Sequence, residues 1–84
     1  MSPEPSDELF ERIAERLKAL ADPMRLKILH AVEDRELCVS DILAEVGGSQ
    51  ANVSKHLSKM RASGVLASRR DGTSIYYRVI DPAA

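Results

Sequence analysis

Apolar residues recur at helical spacing along the first part of the chain. The spacing predicts an amphipathic helix over residues 7–20, which Ser6 caps and whose first turn is acidic. The apolar stripe is broad enough to contact two surfaces, and one of them is expected to belong to a second subunit. Its members are Leu9, Phe10, Ile13, Ala14, Leu17 and Leu20.

Two shorter helices are predicted next. Asp22-Pro23 combines an N-cap residue with a proline at the first helical position, so the second helix begins there and ends near Glu33. Ser40 is expected to cap a third helix over residues 41–46, which Gly47-Gly48 ends. The apolar residues expected to face inward are Leu26, Ile28, Leu29 and Val32 on the second helix and Ile42, Leu43 and Val46 on the third.

The fourth predicted helix, residues 50–62, has two chemically different faces. Ser49 is its expected cap. Val53, Leu57 and Met60 lie on one face, and Asn52, Lys55 and Lys59 lie roughly opposite. Two short helices joined by a glycine turn, with polar groups on the free face of the second, are typical of a helix-turn-helix.

From Val65 the apolar period changes to two, which indicates strands. The runs VLASRR and TSIYYRV are separated by Asp71-Gly72, a strong hairpin signal. The predicted fold is therefore an α+β winged helix-turn-helix with the order ααααββ. It forms one DNA-binding domain over residues 1–84, in which residues 1–6 are expected to be a flexible leader.

Charge is distributed unevenly along the chain. Its net charge is only −1, yet residues 1–48 hold six Lys/Arg against eleven Asp/Glu, whereas residues 49–84 hold six against two. A basic half beside an acidic half indicates an anionic partner, because phosphate binding depends on local charge. The expected partner is double-stranded DNA.

The predicted DNA-binding residues combine short polar side chains with basic ones, as a helix in the major groove and a wing along the backbone require. The alternatives are a solvated amphipathic helix and a hairpin whose charges only protect its edge. The candidates are Ser49, Gln50, Asn52, Ser54, Lys55, His56 and Lys59 on the helix, and Arg69, Arg70, Thr73, Ser74 and Tyr76 on the wing.

Three stretches resemble the arsenic-repressor (ArsR/SmtB) family: LKALADPMRLKIL, ELCVSDI and SQANVSKHLSKMRASGVLASRRDGTSIYYRV. The resemblance implies a homodimeric repressor that binds operator DNA and releases it when a metal, metalloid or thiol-reactive signal binds. Two recognition helices about one DNA turn apart would read an imperfect palindrome.

Two departures from the family pattern limit what the resemblance implies. Metalloid sensors carry C-V-C where this chain has Cys38-Val39-Ser40, so the second thiolate is absent. The family usually has a further helix after the wing, whereas this sequence ends soon after Asp81-Pro82. Dimerisation is therefore expected to depend mainly on helix 1, and no metal site or cofactor is predicted.

Cys38 has two interpretations that the sequence leaves open. A lone cysteine beside Leu37 and Val39 is commonly a small buried apolar residue, but a thiol near a helix N-terminus is also a candidate redox or electrophile sensor. His30, in the last turn of helix 2, suits a structural role at the helix C-terminus. Two scattered histidines and one thiol do not indicate a zinc site.

The predicted function is repression of transcription without catalysis, in the cytoplasm. The sequence has no Gly-rich phosphate loop, nucleophile elbow or paired acid and base, and no signal peptide or apolar run of membrane-spanning length. Two other functions stay open: a winged helix that binds another protein, and a thiol-based redox regulator acting through Cys38.

Overall fold

The computed structural model describes residues 6–80 and has seven elements. Residues 1–5 of the predicted leader, and Asp81 and Pro82, lie outside the described part. No helix in residues 6–80 is long and apolar enough to cross a membrane. The elements are α1 (Asp7–Leu20), α2 (Pro23–Val32), β1 (Leu37–Cys38), α3 (Val39–Val46), α4 (Gln50–Ala62), β2 (Leu66–Asp71) and β3 (Ser74–Val79).

The winged helix-turn-helix prediction is confirmed, with one strand more than the sequence indicated. β1 pairs antiparallel with β3, which also pairs with β2, so the sheet order is β1-β3-β2. Leu37 lies opposite Tyr77, and Cys38 lies opposite Tyr76. A strand of two residues is too short to produce an alternating pattern, and the predicted order ααααββ therefore becomes ααβααββ.

Three of the four predicted N-caps are confirmed. Ser6, Asp22 and Ser49 each accept hydrogen bonds from backbone N–H groups in the first turn of their helices. The predicted cap Ser40 is wrong, because β1 runs directly into α3 and places Cys38 at the N-cap position without a side-chain cap bond. Ser40 consequently lies inside the first turn of α3.

The tip of the wing lies one residue later than predicted. Asp71 pairs with Ser74 as the last pair of the hairpin, so Gly72 and Thr73 form the turn. Gly72 has a φ of 64°, and no described residue other than glycine has a positive φ. A first turn residue with positive φ, Gly72, followed by one with negative φ, Thr73, matches the φ signs of a type II′ turn.

The core lies between α2, α3, α4 and the sheet. Ala19 and part of Leu20, at the C-terminal end of α1, also join it. Leu26 was predicted to face inward but is exposed. It precedes the buried Ile28 by two residues, and side chains two residues apart in a helix point in nearly opposite directions. The side chains that are fully buried are Ile28, Val32, Ile42, Val53, Leu57, Met60 and Leu66.

The apolar face of α1 is only partly covered by the rest of residues 6–80. Phe10 is 56% exposed and Leu17 is 63% exposed, and Leu9 and Ile13 are also exposed. Four large apolar side chains at helical spacing form a continuous patch, which is the kind of surface that marks a contact with another molecule. We call these four residues the α1 face.

Candidate nucleic-acid interface

α4 separates apolar from polar residues as the sequence predicts. Val53, Leu57 and Met60 have no exposed surface, whereas Asn52, Lys55 and Lys59 are exposed. Gly47 and Gly48, with φ of 76° and 86°, both take left-handed conformations in the turn from α3 to α4. This turn lets α3 and the buried side of α4 pack on the same core while the polar side of α4 faces outward.

One flank of α4 contacts α2 through a hydrogen bond between side chains. Arg25 Nε donates to His56 Nδ1 at 3.0 Å, and Arg25 Nη1 donates to the Ala19 carbonyl at 3.2 Å. His56 is therefore half-buried, at the border between the two faces of α4. Arg25 was not among the predicted site residues because its sequence position, in α2, gave no sign of this contact.

Asp22, the N-cap residue of α2, lies beside the contact between Arg25 and His56. Its carboxylate accepts the backbone N–H groups of Met24 at 2.8 Å and Arg25 at 3.3 Å. Burial alone would raise the pKa of Asp22, but these two hydrogen bonds and the nearby positive charge of Arg25 leave that pKa below its ordinary value. The start of α2 and the flank of α4 thus share one group of polar interactions.

The other flank of α4 borders a cleft between the N-terminus of α3, α4 and the wing. Gln50, Ser54 and Ser58 line it from α4 at successive helical turns. Ser58 and Tyr77 were not predicted as site residues, although the four-residue spacing of Gln50, Ser54 and Ser58 was a signal for the shared flank. The rest of the lining is Cys38, Val39, Ser40, Thr73, Ser74, Ile75 and Tyr77.

Strand register separates the two predicted wing arginines. Arg69 pairs across the hairpin with Tyr76, and Arg70 pairs with Ile75, so the two guanidinium groups leave opposite faces of the sheet. Ser74 and Tyr76 share the face of Arg69, and Thr73 lies at the exposed tip. The predicted wing residues therefore do not form one continuous surface.

Arg69 is held by an acidic partner within the chain. Its Nε lies 2.9 Å from both carboxylate oxygens of Glu36, and its Nη2 lies 2.6 Å from Oε1. The guanidinium also lies 4.8 Å from the centre of the Tyr76 ring. The hydrogen bond from Arg69 lowers the pKa of Glu36, and Glu36 in turn raises the pKa of Arg69. A phosphate would have to compete with Glu36 for this side chain.

The family model for bacterial regulatory proteins of the arsR type matches residues 22–68. The chain belongs to this family. The matched segment begins at the N-cap of α2 and ends in β2, so it contains α3, α4 and the connection between them. It also contains Arg25, Glu36, Cys38 and His56, whose contacts define the flanks of the interface described above.

Individual members of the arsR family match most of the chain. The transcriptional regulator KmtR of Mycobacterium tuberculosis is 38% identical over 92% of this chain, and the chain spans 58% of KmtR. NolR from Sinorhizobium fredii superimposes with a TM-score of 0.80 at 38% identity, over 99% of this chain and 85% of that one. Mb0332 from Mycobacterium bovis, a homodimeric winged helix-turn-helix DNA-binding domain, superimposes with a TM-score of 0.84 at 30% identity. The match covers 98% of this chain and 79% of that one.

Cys38, where metalloid sensors of the arsR family begin their C-V-C segment, is half-buried at the rim of the cleft. Its Sγ lies 3.2 Å from Ser40 Oγ and donates a hydrogen bond to Asp41 Oδ2, also at 3.2 Å. His30 is mostly exposed, with Nδ1 3.4 Å from Glu33 Oε1. Within residues 6–80 no three His, Cys, Asp or Glu side chains are grouped closely enough to hold a metal ion.

Proposed function

We propose that the chain is the DNA-binding domain of a transcriptional repressor of the arsR family, with α4 in the major groove and the wing beside the backbone. The observation that carries this proposal is the complete separation of α4 into a buried apolar back and an exposed front with Asn52, Lys55 and Lys59. Such a helix reads base edges and binds phosphates while its back stays fixed to the core.

The proposed active form is a homodimer that pairs through the α1 face. Leu9, Phe10, Ile13 and Leu17 keep 43–63% of their surface exposed among residues 6–80, which leaves an apolar surface that a second subunit could cover. The similarity to Mb0332, which is homodimeric, supports this assembly. Two α4 helices related by a two-fold axis, about one DNA turn apart, would bind an imperfect palindrome.

Binding to duplex DNA tests the proposal directly. We expect the chain to bind a fragment from upstream of its own gene more tightly than a shuffled fragment of the same composition. Asn52→Ala should change the ranking of operator variants, because an amide that contacts a base contributes to sequence preference. Equal affinity for both fragments would favour the alternative, a winged helix that binds another protein.

The proposed signal input is the thiol of Cys38. This side chain lies in the first residues leading into α3, at the rim of the cleft that α4 and the wing share. Oxidation or alkylation would place a larger polar group there and displace α3 and α4 relative to the wing. Capture of arsenite or zinc at this place is not proposed, because the neighbouring hydroxyl of Ser40 is a poor ligand for a soft metal.

A further inference from the structure

From the contact between α2 and α4, we infer that Arg25 holds His56 as the neutral Nε2–H tautomer and aims that N–H at a phosphate oxygen beside the major groove. Arg25 is the positioning residue in this arrangement, and His56 is the group that contacts DNA. The inference rests on the proposed DNA-binding function, which it extends by assigning the two nitrogen atoms of one imidazole to different partners.

The tautomer follows from the chemistry of the two side chains. Arg25 Nε carries a hydrogen and has no lone pair to offer, so it can only donate to His56 Nδ1, 3.0 Å away. Nδ1 must therefore be unprotonated, and the single ring hydrogen of the neutral imidazole lies on Nε2. A second hydrogen bond, from Arg25 Nη1 to the Ala19 carbonyl, fixes the guanidinium in this orientation.

His56 lies at the edge of the α4 face that DNA would approach, and its second ring nitrogen is open to solvent. Within residues 6–80 His56 Nε2 has no hydrogen-bond partner, and no buried side-chain nitrogen there lacks one, so Nε2 is open to solvent. His56 follows Asn52 by one helical turn and precedes Lys59 by three residues, which places it along the edge of the exposed front. A donor at this edge meets the phosphate backbone rather than the centre of the groove.

The neutral state of His56 gives this contact a distinctive salt dependence. A neutral donor forms a hydrogen bond with a phosphate but releases no counterion, whereas a lysine releases about one. Loss of His56 should therefore weaken DNA binding by about tenfold for each half-site and leave the slope of log affinity against log salt unchanged. Loss of Lys59 should lower that slope.

Two substitutions of His56 separate its two roles. DNA affinity is compared among variants whose melting temperature equals that of wild type. His56→Gln places an amide N–H near the position of Nε2, whereas His56→Asn places a carbonyl oxygen near Nδ1 and keeps only the bond from Arg25. We expect Gln to restore most of the affinity lost in His56→Ala, and Asn to restore little. The opposite ranking would overturn the inference and leave His56 as an anchor for Arg25.

Imidazole nitrogen NMR of the free protein tests the tautomer without DNA. The chain has two histidines, so His30→Gln assigns the signals and serves as the matched control, with unchanged DNA affinity expected. In wild type we expect His56 to show an unprotonated Nδ1 and a protonated Nε2. Arg25→Met should shift both nitrogen signals toward the values expected when the two neutral tautomers exchange. It should also weaken DNA binding severalfold.

The two measurements distinguish failure of the inference from failure of the proposed function. A wild-type protein with the Nε2–H tautomer but no affinity for duplex DNA would contradict the function and remove the phosphate contact with it. A wild-type protein that binds DNA but protonates His56 on Nδ1, or whose signals do not respond to Arg25→Met, would overturn the inference alone.

Discussion

The α1 face and the front of α4 are both exposed, yet their chemistry is opposite. The α1 face consists of large apolar side chains, whereas the front of α4 carries Asn52, Lys55 and Lys59 over a back that is completely buried. An apolar surface associates by releasing water and depends little on salt, whereas a basic surface binds phosphates and weakens as salt rises. Salt therefore distinguishes the proposed dimer contact from the proposed DNA contact in one protein.

The largest expected effect comes from a charge placed in the α1 face. Leu17→Glu should convert the dimer to a monomer and reduce operator affinity by about 100-fold, because the two half-sites are then bound independently. Sedimentation and DNA binding would be measured on the same samples. Leu26→Glu replaces another exposed leucine, on α2, and as the control it should change neither. A Leu17→Glu protein that remains dimeric would place the subunit contact elsewhere.

A smaller effect is expected from oxidation at the cleft beside α4. Peroxide should lower the operator affinity of wild type by about fivefold or more, a coupling of the usual size between two sites, and should leave the dimer intact. Cys38→Ser keeps the size of the side chain and removes the thiol, so its affinity should not respond. Equal responses of the two proteins would make Cys38 a packing residue only.

The wing extends the comparison to two neighbouring arginines with different partners. Arg70→Ala should lower the slope of log affinity against log salt by about one unit, because a free guanidinium that binds phosphate releases about one counterion. Arg69→Ala should lower it less, since Glu36 already pairs with Arg69. Glu36→Gln should raise the slope by freeing Arg69. Equal slopes for Arg69→Ala and Arg70→Ala would show that DNA displaces Glu36.

The smallest effect concerns the pH dependence of stability at the Glu36–Arg69 pair. The folded state lowers the pKa of Glu36 below its ordinary value of 4.5, so the pair stabilises the fold above that pH and its contribution is lost as pH falls through the lowered pKa. Both side chains reach solvent, and the effect should therefore be slight. Urea unfolding of wild type and Glu36→Gln should differ at neutral pH and converge in acid.

Sequence patterns predicted most of this fold because helical and strand periods, caps and glycine turns are local signals. Helix α4, with Val53 and Leu57 behind Lys55, followed directly from its spacing. The strand β1 did not, because two residues carry no period and its pairing partner lies far along the chain at Tyr77. Local propensity also favoured Ser40 as a cap, and the sheet overrode it.

The candidate site was also predicted only where neighbouring residues in the sequence determine the structure. The front of α4 was predictable, whereas its link to α2 was not, because Arg25 and His56 are separated by 31 positions and meet only in the fold. Similarly, Arg69 and Arg70 are indistinguishable as a basic pair in the sequence. Strand register and Glu36 give them different faces and different partners.

The salt dependence of operator binding tests the central proposal, that α4 faces DNA, most directly. The slope of log affinity against log salt would be measured for wild type and for Lys55→Ala/Lys59→Ala, with Lys27→Ala on α2 as a control for the loss of one exposed lysine outside α4. We predict a slope lower by about two units in the double variant, about one for each lysine, and an unchanged slope for Lys27→Ala. A double variant with the slope and affinity of wild type would contradict the proposal that α4 is the DNA-binding helix.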